Sequence, residues 1–197
     1  TGILMGLTAT LNPFRFHPSY MEIADLSLEE RVGLMNTKDF KEKLLNEQAV
    51  SINPLVDEIV NSFGKMFKLG EPANYEPDPK DSFESKAKLS NMTAQEIAYE
   101  AMLEKEGKAL IYHPLFNYQT GDLSLVEKML KHPYTISGLG DAGAHCGAIS
   151  DASFPTTLVQ HWSRDRDRGA KLPLETVIKM QTSETANLLG IRDRGII

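Results

Sequence analysis

Cysteine is all but missing from this chain. Cys146 stands alone among 197 residues, so no internal disulfide can form, and a reducing, cytoplasmic setting is the expectation. Basic charge is short as well: 21 lysines and arginines face 27 aspartates and glutamates, for a formal net charge of -6. Such a chain has no basic stripe to hold a phosphate backbone or an anionic lipid surface, which argues against both nucleic acid and membrane as partners. No apolar run approaches the length of a bilayer span. Internal repeats and low-complexity tracts do not stand out, and Thr1-Gly-Ile-Leu-Met-Gly-Leu7 has neither the charged start nor the cleavage pattern of a secretory signal. What remains is 41% hydrophobic and 24% charged, the composition of a globular protein long enough to bury a core. The abrupt apolar start and the close at Gly195-Ile-Ile197, which reads as the start of another strand, point to a piece of a larger protein.

The stretch that organises the chain is Tyr134-Thr-Ile-Ser-Gly-Leu-Gly-Asp141-Ala-Gly-Ala-His145-Cys-Gly-Ala-Ile-Ser-Asp151-Ala-Ser-Phe-Pro155. Its first six residues, Tyr134 to Leu139, read as a buried strand because Thr135 and Ile136 are β-branched. Glycines at 138, 140, 143 and 147 then free the backbone to turn. Asp141 and His145 fall in that turn, and a helix-compatible run follows from Phe154. A strand, a turn carrying an acid and an imidazole, then a helix is the way an α/β barrel mounts catalytic groups at a strand's carboxyl end.

The rest of the chain supports an α/β reading. Ile3 to Leu11 reads as a buried strand ending at Asn12-Pro13, followed by the aromatic loop Phe14-Arg-Phe-His17-Pro-Ser-Tyr20. From there to Gly107 the pattern turns helical. Ser27-Leu-Glu-Glu30 and Thr93-Ala-Gln-Glu96 are capping boxes. Lys38 to Gln48 gathers Phe40, Leu44 and Leu45 on one face, and Val56, Ile59, Val60 and Phe63 mark a further short helix. Leu69 to Pro79 reads as a surface loop, and Gly107 as the end of the helix that Thr93 caps. Residues 21–107 therefore read as a helical insertion, too structured for a loop, that covers a barrel mouth or extends the core. Residues 108–197 read as the last strands and helices of the barrel. In them, strand-like Lys108 to Pro114, a helix from Asp122 to Lys131 and the Tyr134 run give the βαβ rhythm of a parallel sheet. Helices follow from Phe154 to Trp162, from Pro173 to Met180, and from Thr182 with Ala186, Leu188 and Leu189 buried and Gly190 as cap. The alternating run Arg164-Asp-Arg-Asp-Arg168 reads as a solvated helix end.

An aspartate at the end of a barrel strand can act as general base toward a metal-bound water and then pass the proton to the leaving group. In sequence order, Gly140-Asp141-Ala-Gly-Ala-His145, Ser153-Phe-Pro155, Pro173-Leu-Glu-Thr-Val177 and Thr182 to Gly195 resemble the N-acyl-D-amino-acid deacylase (D-aminoacylase) branch of the amidohydrolase superfamily. The closing Leu189-Gly-Ile-Arg-Asp-Arg-Gly195 is similar to that branch's passage from its last barrel helix to a small β domain. The resemblance is specific over about Tyr134 to Gly195, thinner over Ile3 to Phe14 and weak across the helical stretch.

The resemblance implies that this chain is the carboxyl-terminal portion of a TIM-like (β/α)8 barrel, and that the complete enzyme hydrolyses the C–N bond of a small N-acyl amide with zinc. It assigns Asp141 as general acid/base, with a contact to the metal, and His145 as a residue that contacts substrate or supports those that do; packing within the turn remains open for His145. Where such members often carry Ser-Asp-Gly, this chain has Gly140-Asp141-Ala142. The family's other ligands, a His-X-His pair among them, have no counterpart: His17, His113, His132, His145 and His161 lack the spacing, and His17, His113, His132 and His161 read as structural or surface residues. Two other readings stand beside this one. The chain could be a non-catalytic α/β interaction domain that presents the apolar residues of the stretch from Met21 to Phe67, with a homo-oligomer left open. Cys146 beside His145 could be a nucleophile and its base, although adjacent residues of an extended chain point apart and a small buried thiol explains Cys146 more simply.

Overall fold

The structure, a computed structural model, describes residues 2–138 and 151–196. The chain divides into two compact units, Gly2–Leu115 and Phe116–Ile197. The fold class is mixed α/β.

In the first unit, strands β1 (Gly2–Met5), β2 (Phe67–Lys68) and β3 (Ile111–Pro114) form a sheet of order β1-β3-β2. Both pairings are antiparallel, Gly2 opposite Pro114 and Met5 opposite Ile111 on one side of β3, Phe67 opposite Tyr112 on the other. Every residue of β3 is buried, and Pro114, with no amide to donate, closes the strand. Gly2 is required by its neighbour: a Cβ there would lie 2.2 Å from the Tyr112 ring. The parallel sheet expected from the βαβ rhythm is not found among the described residues, and neither is a closed barrel. β3 lies between β1 and β2, both antiparallel to it, and the long helical stretch between β1 and β3 imposes no right-handed crossover.

The helices of this unit are α1 (Pro18–Ile23), α2 (Leu28–Met35), α3 (Lys38–Asn46), α4 (Pro54–Asn61), α5 (Phe83–Ala87) and α6 (Ala94–Gly107). Both capping boxes form. The Glu30 amide donates to Ser27 Oγ at 3.3 Å while Ser27 N donates to Glu30 Oε2 at 3.0 Å. At α6 the corresponding distances are 3.1 and 2.6 Å. Each box satisfies amides that a helix start leaves orphaned. Buried Ala98, Tyr99, Ala101 and Met102 of α6 join Met35, Leu44, Phe14, Phe83 and the strand residues Met5 and Ile111 in one core. The helices of 18–107 thus share their interior with β1 and β3. Tyr99 donates its hydroxyl to the Met35 carbonyl at 2.6 Å, tying α6 to α2. Helical backbone in α6 ends earlier than Gly107: Glu104 turns extended, and Lys105, Glu106 and Gly107 all have positive φ. A Cβ on Gly107 would meet Val32 Cγ2 at 2.5 Å, so glycine serves both the left-handed turn and the packing.

In the second unit lie α7 (Ser124–Leu130), α8 (Phe154–Gln160), a π-turn at His161–Asp165, α9 (Leu174–Gln181) and α10 (Ser183–Leu188). Leu158, Trp162, Leu172, Val177 and Met180 form its core, flanked by Leu123, Val126 and Leu130. Three sequence expectations are corrected here. Residues 134–138 form no strand; the Thr135 hydroxyl donates back to the His132 carbonyl at 2.9 Å, so its polar group continues the turn that ends α7 rather than a ladder. Leu188 and Leu189 are both 68% exposed, and only Ala186 of that trio is buried. Arg166, read as part of a solvated run, is fully buried. Its Nη1 donates to Glu127 Oε2 at 2.5 Å and to the Ala170 carbonyl at 2.9 Å, and its guanidinium lies 4.5 Å from the Trp162 ring centroid. Gly169 leaves room for it, since a Cβ there would come within 2.3 Å of Arg166 Nη2.

Candidate functional site

Asp141, His145 and Cys146, the residues to which the sequence assigns chemistry, lie outside the described residues. What is described is the approach to them. The chain leaves α7 through His132-Pro133, where the Tyr134 amide donates to His132 Nδ1 at 3.2 Å and the two rings meet at 5.6 Å. From there to Gly138 it runs without strand partners, and the Thr185 hydroxyl of α10 donates to the Ser137 carbonyl at 3.3 Å. This segment, α9 and α10 bound an open cleft of about 890 Å³. Ile136, Met180 and Leu188 give the cleft apolar walls, and Lys179 and Glu184, paired at 3.2 Å, put a charged pair at its edge. A recess with apolar walls and a few polar groups suits a small amphiphilic molecule. The ionisable groups of its described lining are Lys131, His132, Tyr134, Lys179 and Glu184.

The other histidines stand apart from this cleft or at its rim. His17 is buried with its ring edge on Phe14 at 5.2 Å, its Nδ1 lacks a partner, and burial holds its pKa below the ordinary histidine value. His113, in β3, is 2% exposed and neither ring nitrogen has a hydrogen-bond partner. Burial, with a smaller contribution from the charge of Lys65, pushes its pKa down to about 4. Both are therefore core residues, neutral at pH 7, as their reading from sequence anticipated for structural positions. His132 is exposed on the cleft rim, and His161 opens the π-turn with its ring edge-on to Trp162 at 5.6 Å. Among the described residues no group of three or more His, Cys, Asp or Glu could hold a metal ion.

Two groups escaped the sequence reading. One is Arg166, whose role depends on Glu127 in a different helix and left no local signal. The other is a polar pocket of about 340 Å³ beside β1, which includes Arg15 and Arg31; Arg15 sat in a loop read only for its aromatics.

The fold defines a mixed α/β chain, and no helix among the described residues is long and apolar enough to cross a membrane. No family model matches the chain, and neither a curated protein nor a solved structure matches it.

Proposed function

We propose that this chain is the carboxyl-terminal part of a metal-dependent amidohydrolase resembling the N-acyl-D-amino-acid deacylases, whose complete barrel is TIM-like and whose substrate is a small N-acyl amide. The observation that carries the reading is the ordered motif Gly140-Asp141-Ala-Gly-Ala-His145 followed by helices at Phe154, Leu174 and Ser183. Asp141 takes a proton from the attacking water and delivers it to the leaving nitrogen, so that the C–N bond breaks to give a carboxylate and an amine. His145 contacts substrate or holds the turn in shape. Zinc in such an enzyme lowers the pKa of a bound water; Asp141 would contact the ion, and on the resemblance its other ligands belong to earlier strands of the complete enzyme. On this reading the 197-residue chain by itself binds zinc poorly and lacks full activity. The helices of 21–107, which share a core with β1 and β3, would then extend the barrel's core or cover its mouth.

The test uses the product of the full open reading frame, assayed for zinc content and for hydrolysis of N-acyl amino acids, before and after Asp141→Asn. Loss of turnover with zinc retained supports the role given to Asp141, and undiminished turnover refutes it.

A second reading, a non-catalytic interaction domain, draws on Val50, Ile52 and Leu55, which stand 49%, 53% and 64% exposed in quick succession. Apolar residues grouped in this way are common at protein interfaces. A full-length product that self-associates, retains no metal and hydrolyses nothing would favour it.

A further inference from the structure

The pocket in the first unit differs from the rest of the chain in its charge. Thr8, Thr10, Asn12, Arg15, Tyr20 and Arg31 line it, with no carboxylate among its lining residues. Elsewhere in this unit cations meet acids: Lys41 with Glu100 at 2.9 Å, Lys88 with Glu84 at 3.2 Å, and Lys68 with Glu104. Neither Arg15 nor Arg31 has an ion-pair partner among the described residues. On a chain of net charge -6, two guanidiniums facing one small recess without an acid are an exception that needs a cause.

The recess is also built rather than incidental. Arg31 Nη1 donates to the Leu7 carbonyl at 2.9 Å and to Tyr20 Oη at 3.1 Å, which fixes the guanidinium plane, while Arg31 Nε is buried with no partner at all. Asn12, 1% exposed, accepts the Phe14 amide at 3.0 Å and so shapes the turn that leads into Arg15. Arg15 makes no side-chain hydrogen bond among the described residues, which leaves its donors available. Thr8 and Thr10, both exposed, are among the lining residues. Guanidinium donors left without an acid are available to an oxyanion that enters the recess.

We propose that this pocket binds a small oxyanion, the carboxylate or phosphate group of a low-molecular-weight ligand, between Arg15 and Arg31. The planar fork of a guanidinium matches either group and holds it more strongly than a neutral donor can. A volume of about 340 Å³ lies at the lower end of ligand pockets and suits a compact molecule, not a polymer. The site is independent of Asp141 and of the reaction assigned to it.

The experiment titrates the intact chain with sodium phosphate and, separately, with sodium acetate at constant ionic strength set by chloride, followed by NMR shifts of the Thr8–Arg15 amides. Saturable binding by phosphate alone assigns a phosphate ligand, and saturable binding by acetate assigns a carboxylate. In either case Arg15→Gln is expected to weaken binding by about tenfold or more, and Arg15→Lys, which keeps charge but loses the fork, by less. Because Arg15 makes no side-chain hydrogen bond, both variants should keep the wild-type far-UV circular dichroism and melting temperature. Absence of saturation by both anions up to about 10 mM, or affinity unchanged by Arg15→Gln, overturns the proposal.

Discussion

Replacing His113 with leucine should change how the stability of the first unit depends on pH. The imidazole is 2% exposed in β3, with both nitrogens unpartnered, and its pKa falls from the ordinary 6.5 to about 4. In the unfolded chain it takes up a proton near pH 6.5; in the folded chain it does so only near pH 4. The unfolded state therefore binds more protons between those values, so stability is full above pH 6.5 and falls as pH drops toward 4. A gap of that size is worth about 3 kcal/mol at its limit. At pH 7 the leucine variant removes two unsatisfied polar atoms and should be as stable as the wild type or more stable, by about 1 kcal/mol. As the pH falls to 4.5, its advantage should widen by about 2 kcal/mol more, with His17, whose pKa is lowered too, contributing equally to both proteins. Trp162 belongs to the other unit, so its fluorescence is the wrong probe. Hydrogen exchange of the β1 and β3 amides reads this sheet directly. Parallel pH curves for the two proteins would refute the assignment of a neutral, buried imidazole.

Arg166→Met should destabilise the second unit by about 2 kcal/mol, because it removes the bonds of a fully buried guanidinium to Glu127 and the Ala170 carbonyl and its stack on Trp162, while Glu127 keeps Lys131; urea unfolding followed by Trp162 fluorescence checks this, and an unchanged midpoint contradicts it. Gly107→Ala should cost about 2 kcal/mol or more, the sum of a left-handed backbone at φ 78 and a methyl group driven against Val32, visible as a lower denaturation midpoint. Tyr99→Phe leaves the Met35 carbonyl without its donor and should cost about 1 kcal/mol; a variant as stable as wild type would show that bond to be dispensable.

The parts of this fold that could be read from sequence are those decided within a few residues. Ser27-Glu30 and Thr93-Glu96 needed only a hydroxyl, a carboxylate and a spacing of three, and both boxes form as written. The apolar face of Phe40, Leu44 and Leu45 likewise reaches the core, with Leu44 fully buried. Strand direction is a different matter. Ile111–Pro114 looks the same whether its partners run parallel or antiparallel, and both β1 and β2 run antiparallel to it. The Tyr134 run failed because β-branched residues after a proline suit a turn as well as a strand once Thr135 bonds back to α7. Arg166 was invisible because charge alternation specifies a solvated face only when no acid from another helix reaches in, and Glu127 does. Arg15 and Arg31 are far enough apart in sequence that only the fold shows them lining one recess.

The central claim rests on Asp141 moving a proton during amide hydrolysis. The measurement that tests it most directly is kcat of the full-length product on an N-acyl amino acid with Asp141→Asn, at equal bound zinc. A fall in kcat of about a hundredfold or more, with zinc content and melting temperature unchanged, is the result the account predicts. Turnover equal to wild type, or a full-length product that holds no zinc and hydrolyses no amide, would contradict it.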